Sequence, residues 1–183
     1  MRRSKIVKYA QKYEDLLPEA VPRYHAVISC IISQKISFQR SRGIRRKLYK
    51  ELGSDIFTKS KIESLNLNDL GLDARVIEII DQVNRLENLS FKNLAKISGI
   101  GKWTIDAVKI LTYYDPDIAL YKDKYIRKIL SGLYGKTFTE GTAKAWFEKV
   151  SNKSLVSRFL WRLKYTSINK IIDSEPLTSL DLY

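Results

Sequence analysis

Apolar residues recur at three- and four-residue spacing along most of the chain. Val76, Ile79, Ile80 and Val83 form one stripe, and Leu155, Phe159, Leu160 and Leu163 form another. That period lines up side chains on one face of an α-helix. Period-two alternation, the mark of a half-buried strand, is scarce. Prolines stand only at positions 18, 22, 116 and 176, so no imino acid interrupts helices between Pro22 and Pro116. Helix starts are marked too: Ser60 and Glu63 stand at capping-box spacing, and Asp73 and Ser90 precede apolar-periodic runs. The pattern predicts helices near 4–17, 22–34, 38–52, 60–66, 73–87, 91–97, 103–114, 124–134, 140–151 and 154–172. The tail after Asp173 reads as irregular. No repeat or low-complexity linker interrupts the chain, and the fold class is all-α.

Composition narrows what such a protein does. With 183 residues, 44% of them hydrophobic, the chain can bury a real core and is no disordered basic tail. The lone cysteine, Cys30, excludes an internal disulfide framework and an all-cysteine metal or iron–sulfur site. The lone histidine, His25, makes His-based metal clusters and a Ser–His triad poor readings. No metal ligand set and no cofactor site is expected. Lysine and arginine number 33 against 20 acidic residues, a formal charge of +13. Such an excess points to polyanions, first of all nucleic acid. The basic start Met1–Lys5 is followed by Lys8, Gln11, Lys12 and Glu14 rather than an apolar run, so it makes a poor signal peptide. The apolar stretch Ala26–Ile32 is too short to span a bilayer. The expectation is a soluble intracellular protein.

Two stretches carry candidate chemistry. In Leu94–Thr104, a helical pattern stops at Gly99-Ile100-Gly101 and another begins. Glycines permit positive φ and close backbone approach, and Ile100 between them can turn into the core. The N–H groups after Gly101 open a helix, and such a terminus attracts phosphate. Asp123 stands at the start of a second helix, carrying Ile126, Ile129 and Leu130, after the turn Asp115-Pro116-Asp117. A helix N-terminus favours an ionised carboxylate. Taken singly, an ordinary tight turn and an ordinary helix cap explain both. Elsewhere, Lys35, Arg40, Arg42, Arg45, Arg46, Lys47 and Lys50 form a basic segment without a carboxylate, suited to phosphate contact.

Together, in this order and spacing, Ile97-Ser98-Gly99-Ile100-Gly101-Lys102-Trp103-Thr104-Ile105 and the later Asp123 segment resemble the helix–hairpin–helix–Gly/Pro–Asp superfamily of DNA glycosylases. Ser98 replaces that pattern's proline and Ile105 its alanine. Ile28–Ser37, with Gln34 and Lys35, resembles the family helix that ends in Leu-Ser-Gln-Gln-x-Ser. Lys35 replaces the second glutamine. Ile126 followed by Arg127 and Lys128 resembles the 3-methyladenine DNA glycosylase II branch more than the endonuclease III branch. The resemblance covers roughly residues 22–135.

The resemblance implies a two-lobed helical fold without an iron–sulfur cluster or an N-terminal sheet domain. It places a central helical barrel at 22–128 and a second lobe at 1–21 plus 129–183. It implies a base-excision enzyme acting as a monomer on double-stranded DNA that contains a damaged base. Asp123 would stabilise positive charge on the sugar as the base leaves. Gly99, Gly101, Lys102 and Thr104 of the hairpin would contact DNA, with Gln34, Lys35, Arg40, Lys124 and Arg127. Trp103, Tyr24 and His25 are candidates for the pocket that holds the flipped base, with Tyr113 and Trp161 behind them. Trp103 stands where bifunctional relatives carry a nucleophilic lysine, so the expected enzyme is monofunctional, and the likeness to the 3-methyladenine branch implies alkylated purines as its substrates. Lys102, Lys122 and Lys124 keep a lyase reading open. The alternatives are an 8-oxoguanine glycosylase with lyase activity, a uracil or mismatch glycosylase, and a non-catalytic helix–hairpin–helix DNA-binding module. For Asp106 the expectation is a solvent-facing or locally paired carboxylate.

Overall fold

The structure is a computed structural model that describes residues 2–17, 19–34, 36–112 and 115–173. Lys35, Tyr113 and the tail after Asp173 lie outside the described residues. The described residues are helical throughout, with no strand among them. None of their helices is long and apolar enough to cross a membrane. The chain divides into two compact units, one of residues 21–112 and one of residues 1–20 with 113–183.

The 21–112 unit is built around α2 (Arg23–Ile32). Its residues from His25 to Ile32 are all buried, the condition of a helix surrounded by others. It packs against α7 (Lys102–Leu111), α5 (Ala74–Asn84) and α3 (Phe38–Leu52). Full burial of Ile28, Ile31 and Ile32 stabilises the unit by about 1.5–3 kcal/mol for each side chain. Short polar side chains start the helices here. Ser37 Oγ accepts the Arg40 N–H at 3.2 Å to cap α3, and Asp73 Oδ1 accepts the Arg75 N–H at 2.9 Å to cap α5. Ser90 Oγ accepts the Asn93 N–H at 3.2 Å to cap α6 (Phe91–Leu94). The start of α4 (Lys59–Glu63) differs from the expected Ser60 box: Thr58 is the cap, its Oγ1 accepting from Lys61 N–H, and Ser60 lies inside the helix. A 3₁₀ turn at Leu67–Leu70, absent from the helical pattern, buries Leu67 and Leu70. Asn66 opens it and Gly71, at φ 68°, closes it.

The other unit contains α1 (Arg2–Lys12), α8 (Lys124–Tyr134), α9 (Glu140–Phe147), α10 (Lys153–Arg162) and α11 (Ile168–Asp173). α10 packs on α1 and α8, and α11 packs on the same two helices. Two expected helices are shorter than their apolar stripes. The first stops at Lys12 and tightens into a 3₁₀ turn at Glu14–Leu16. The last, expected to run from 154 to 172, breaks at Leu163, whose backbone is extended (φ −61°, ψ 125°). The Tyr125 hydroxyl donates to the Leu163 carbonyl at 2.8 Å, which satisfies an acceptor that the interrupted helix leaves open.

Residues 115–128 belong with this unit, whereas the sequence grouping put them in its central lobe at 22–128. The reason is polar. The Ser154 hydroxyl donates to the Asp115 carbonyl, Ser154 N–H donates to the Pro116 carbonyl at 2.9 Å, and Leu120 N–H donates to Ser157 Oγ at 3.1 Å. The Asp-Pro-Asp turn forms as its residues suggest, with Asp115 Oδ1 accepting the Asp117 N–H at 2.9 Å.

Candidate functional site

The glycine turn between α6 and α7 is fixed from three directions. Gly99 has φ 98°, a backbone region that side chains rarely adopt. A Cβ there would come within 2.5 Å of Ile79 Cδ1, so α5 packs directly on the turn. Ile100 is buried and donates its N–H to the Ile97 carbonyl at 3.0 Å. The third constraint comes from α2. Gln34 Nε2 donates to the Gly99 carbonyl and to Thr104 Oγ1, each at 3.0 Å.

That last arrangement changes the reading of two residues expected at the DNA. Thr104 is 3% exposed, and its hydroxyl oxygen serves Gln34. The Gln34 amide likewise spends its donors on the turn. Both side chains hold the turn in place.

Gly101 is a different kind of glycine. It is exposed, its φ is −91°, and a Cβ would meet nothing within 4 Å. The fold does not use its freedom. It caps α7 and, as a glycine, has no side chain of its own to accept from the first N–H groups of that helix. Such a terminus presents donors and partial positive charge to an anion. Lys102 follows it and pairs with Asp106 at 3.0 Å, with the lysine side chain 65% exposed. The carboxylate of the pair is buried, with Asp106 8% exposed, so Lys102 keeps a buried charge compensated. Asp106 pairs locally, one of the two roles its position suggested.

Asp123, in the other unit, occupies the opposite kind of terminus. It is the cap of α8, and its Oδ1 accepts N–H groups from Tyr125 at 2.8 Å and Ile126 at 2.9 Å. Only 8% of the residue is exposed. Its backbone is tied as well: Asp123 N–H donates to the Leu120 carbonyl at 3.0 Å, and Arg127 N–H donates back to the Asp123 carbonyl at 3.1 Å. A rigid path therefore runs from the fully buried Ser157 through Leu120 to Asp123. Ser154 and Ser157 were not read as site residues. Their signal in the sequence is two hydroxyls three residues apart within a strongly apolar run, which marks buried polar partners.

The basic residues around Asp123 are partly exposed. Lys122, Lys124 and Lys128 are exposed and Arg127 is half-buried. The Arg127 Nε is itself buried without a hydrogen-bond partner. Arg40 is exposed on α3.

The aromatic candidates separate. Trp103 is half-buried in the first turn of α7. Tyr24 is half-buried, and its hydroxyl donates to Asn84 Oδ1 at 2.7 Å. Burial, reinforced by the nearby Glu63 carboxylate, raises its pKa well above the ordinary phenol value. Nothing in the sequence marked Asn84 as its partner. His25 is 7% exposed, stacks on Phe57 at 4.5 Å between ring centroids, and accepts the Phe57 N–H on Nδ1 at 3.1 Å. Burial, and then the positive charge of Arg45, holds its pKa below the ordinary value. Its Nδ1 is thus committed to Phe57. Among the described residues no group of His, Cys, Asp or Glu is arranged to hold a metal ion.

The architecture is all-helical, without a sheet domain among the described residues, and resembles solved DNA glycosylase structures. The chain is similar in structure to a 3-methyladenine DNA glycosylase from Archaeoglobus fulgidus, with a TM-score of 0.67 and 18% identity over 86% of this chain and 62% of that one. It is also similar to a DNA-3-methyladenine glycosidase from Bacillus halodurans, with a TM-score of 0.59 and 18% identity over 87% of this chain and 81% of that one. The chain thus spans less than two thirds of the archaeal enzyme's length. No protein-family model and no curated protein matches the sequence.

Proposed function

We propose that the protein is a monofunctional base-excision DNA glycosylase acting on alkylated purines in double-stranded DNA. The observation that carries this reading is Asp123, a nearly buried carboxylate fixed by two backbone N–H groups at the head of α8. A glycosylase first takes the target nucleotide out of the base stack. As the glycosidic bond breaks, its electron pair leaves with the base and positive charge develops on the sugar. A carboxylate already fixed in place stabilises that charge without reorganising. Water then adds to the sugar carbon and gives up a proton, leaving an abasic site. The hairpin's open helix start, behind Gly101, would grip a phosphate of the strand by its backbone amides, with Lys102 adding charge.

Two further supports set the finer choices. The similar solved structures bear names that specify 3-methyladenine, which favours alkylated purines. Trp103 fills the position at which the resembled pattern carries a lysine nucleophile in its lyase branch, which favours simple hydrolysis. Trp103 is also the aromatic we assign to stacking on an electron-poor flipped base.

The test is a panel of duplexes, each with one lesion, assayed for base release with and without alkali. The expected result is release of an alkylated purine, strand breakage only after alkali, and no covalent trapping by borohydride. Breakage without alkali, with trapping, would indicate a lyase. DNA binding with no base release from any lesion would leave a non-catalytic binding module.

A further inference from the structure

The segment from Ala20 to Lys50 contains no acidic residue, and α3 lies within it. Its buried side is formed by Ser41, Ile44 and Leu48, flanked by Arg45, whose Nη1 donates to Ser33 Oγ at 3.2 Å. At about 100° per residue, Arg40, Arg42, Arg46, Lys47 and Lys50 fall on the opposite arc, and all five are exposed. No hydrogen bond or ion pair to a described residue engages these five side chains. From Arg40 to Lys50 the helix rises about 15 Å, at 1.5 Å per residue. Five cations held side by side over that distance repel one another, and Glu51, the one carboxylate of α3, makes no ion pair with them.

A second observation comes from Gly43, which lies near the middle of the basic arc. A glycine inside a helix is costly relative to alanine. Here nothing within the protein calls for it. Its φ is not positive, and a Cβ would meet nothing within 4 Å. The missing side chain leaves the backbone bare between Arg42, Arg46, Lys47 and Lys50. A bare helix backbone ringed by cations is what another backbone, thick and anionic, would need for close approach. Exposed positions between Gln39 and Lys50 include no apolar residue, so the face lacks the apolar anchors that a membrane-surface helix uses.

We infer that the outer face of α3 is a docking surface for the sugar–phosphate backbone of duplex DNA, seated against Gly43 and clamped by Arg42, Arg46, Lys47 and Lys50. The inference rests on the DNA partner proposed above, but not on base excision. The interaction is sequence-independent, because it touches phosphate and not base edges. Its effect is to hold the protein on undamaged DNA while a lesion is sought.

The experiment measures binding of the full chain to an undamaged duplex across a salt series, beside thermal melting. Gly43→Ala should raise Tm by about 2–4 °C, as a helix-stabilising change does in a chain of this size. It should also weaken duplex binding several-fold, although no charge has changed. Arg46→Gln combined with Lys50→Gln should flatten the log–log salt dependence by about two units, near 0.9 for each phosphate that the protein no longer neutralises. Base release at saturating enzyme should stay at its unmodified level in both variants. Raised Tm with undiminished affinity in Gly43→Ala, or an unchanged salt slope in the double variant, overturns the inference. So does a loss seen only on vesicles containing phosphatidylserine and not on DNA. Should no lesion be released while both variants weaken duplex binding, the docking surface stands and the excision reading fails. Should release occur while both bind normally, the docking surface fails alone.

Discussion

Two helix starts in this molecule face the same electrostatic problem and meet it oppositely. α7 begins at Gly101, a cap residue with no side chain to accept from the first N–H groups. α8 begins at Asp123, whose carboxylate fills the equivalent position. Every helix start has orphan donors and partial positive charge. At α8 the protein supplies the anion itself and fixes it with two hydrogen bonds and a tied backbone. At α7 it fixes the turn with equal care, through Ile79, Ile100 and Gln34, yet caps the helix with a residue that has no side chain to offer. The contrast separates two tasks. Under the proposed function, the anion held at α8 would do chemistry on a cationic transition state, and the start of α7 would receive an anion from outside.

The largest effect on stability should come from damaging the support of the open terminus. Gly99→Val forces a branched side chain to φ 98° and into Ile79. Strain of about 1–3 kcal/mol from the backbone adds to overpacking of a similar size, and denaturant unfolding should show the loss.

Next comes the support of the closed terminus. Ser157→Ala leaves the buried Leu120 N–H without its acceptor, a cost of about 1–3 kcal/mol. Because Leu120 also holds Asp123, base release should slow while duplex affinity stays. Ser157→Thr, which keeps the hydroxyl, should restore the rate, and a rate unaffected by Ser157→Ala would break the proposed positioning path.

Gly101→Ala should barely change stability, because the fold leaves that space empty at φ −91°. It should still weaken binding to any duplex, damaged or not, since it crowds backbone donors rather than a base contact. Equal stability losses at Gly99 and Gly101 would erase the distinction between the two glycines.

The smallest effect concerns neither terminus and serves as a control. His25 is held neutral by burial and Arg45, with Asp55 opposing. Its folded pKa lies below the unfolded value of about 6.5. Its contribution is therefore complete above that pH and declines as pH falls below it toward the folded pKa. His25→Gln should remove that part of the acid sensitivity of Tm without changing the pH profile of base release. A shift of the release profile would return His25 to the base pocket.

The contrast between the termini also shows what the sequence could disclose. Ser98-Gly99-Ile100-Gly101 and Asp123 are local signals, and the helices they start or stop were readable from spacing and capping. The sequence showed two alike glycines, but only the surroundings distinguish them, because Ile79 lies twenty residues upstream of Gly99. Gln34 was expected at the DNA from the resemblance of Ile28–Ser37 to the family helix. It is a strut, because its partners are a carbonyl and a hydroxyl 65 and 70 residues away. The break at Leu163 was hidden for a related reason. The apolar stripe continues through it, and the Tyr125 hydroxyl that takes its carbonyl lies 38 residues earlier. Hydrogen bonds between distant residues leave no periodic trace along a chain.

The most direct measurement is single-turnover base release by Asp123→Asn, with enzyme in excess, beside its duplex affinity. Asparagine caps helices about as well as aspartate, so the fold and the start of α8 should survive and only the charge is removed. Release from the lesion that the unmodified enzyme attacks should fall by about a hundredfold or more, as loss of a fixed electrostatic stabiliser does elsewhere. Duplex affinity should not fall. Release at the unmodified rate from a folded, DNA-binding Asp123→Asn would contradict the assignment of Asp123 as the charge that does the chemistry.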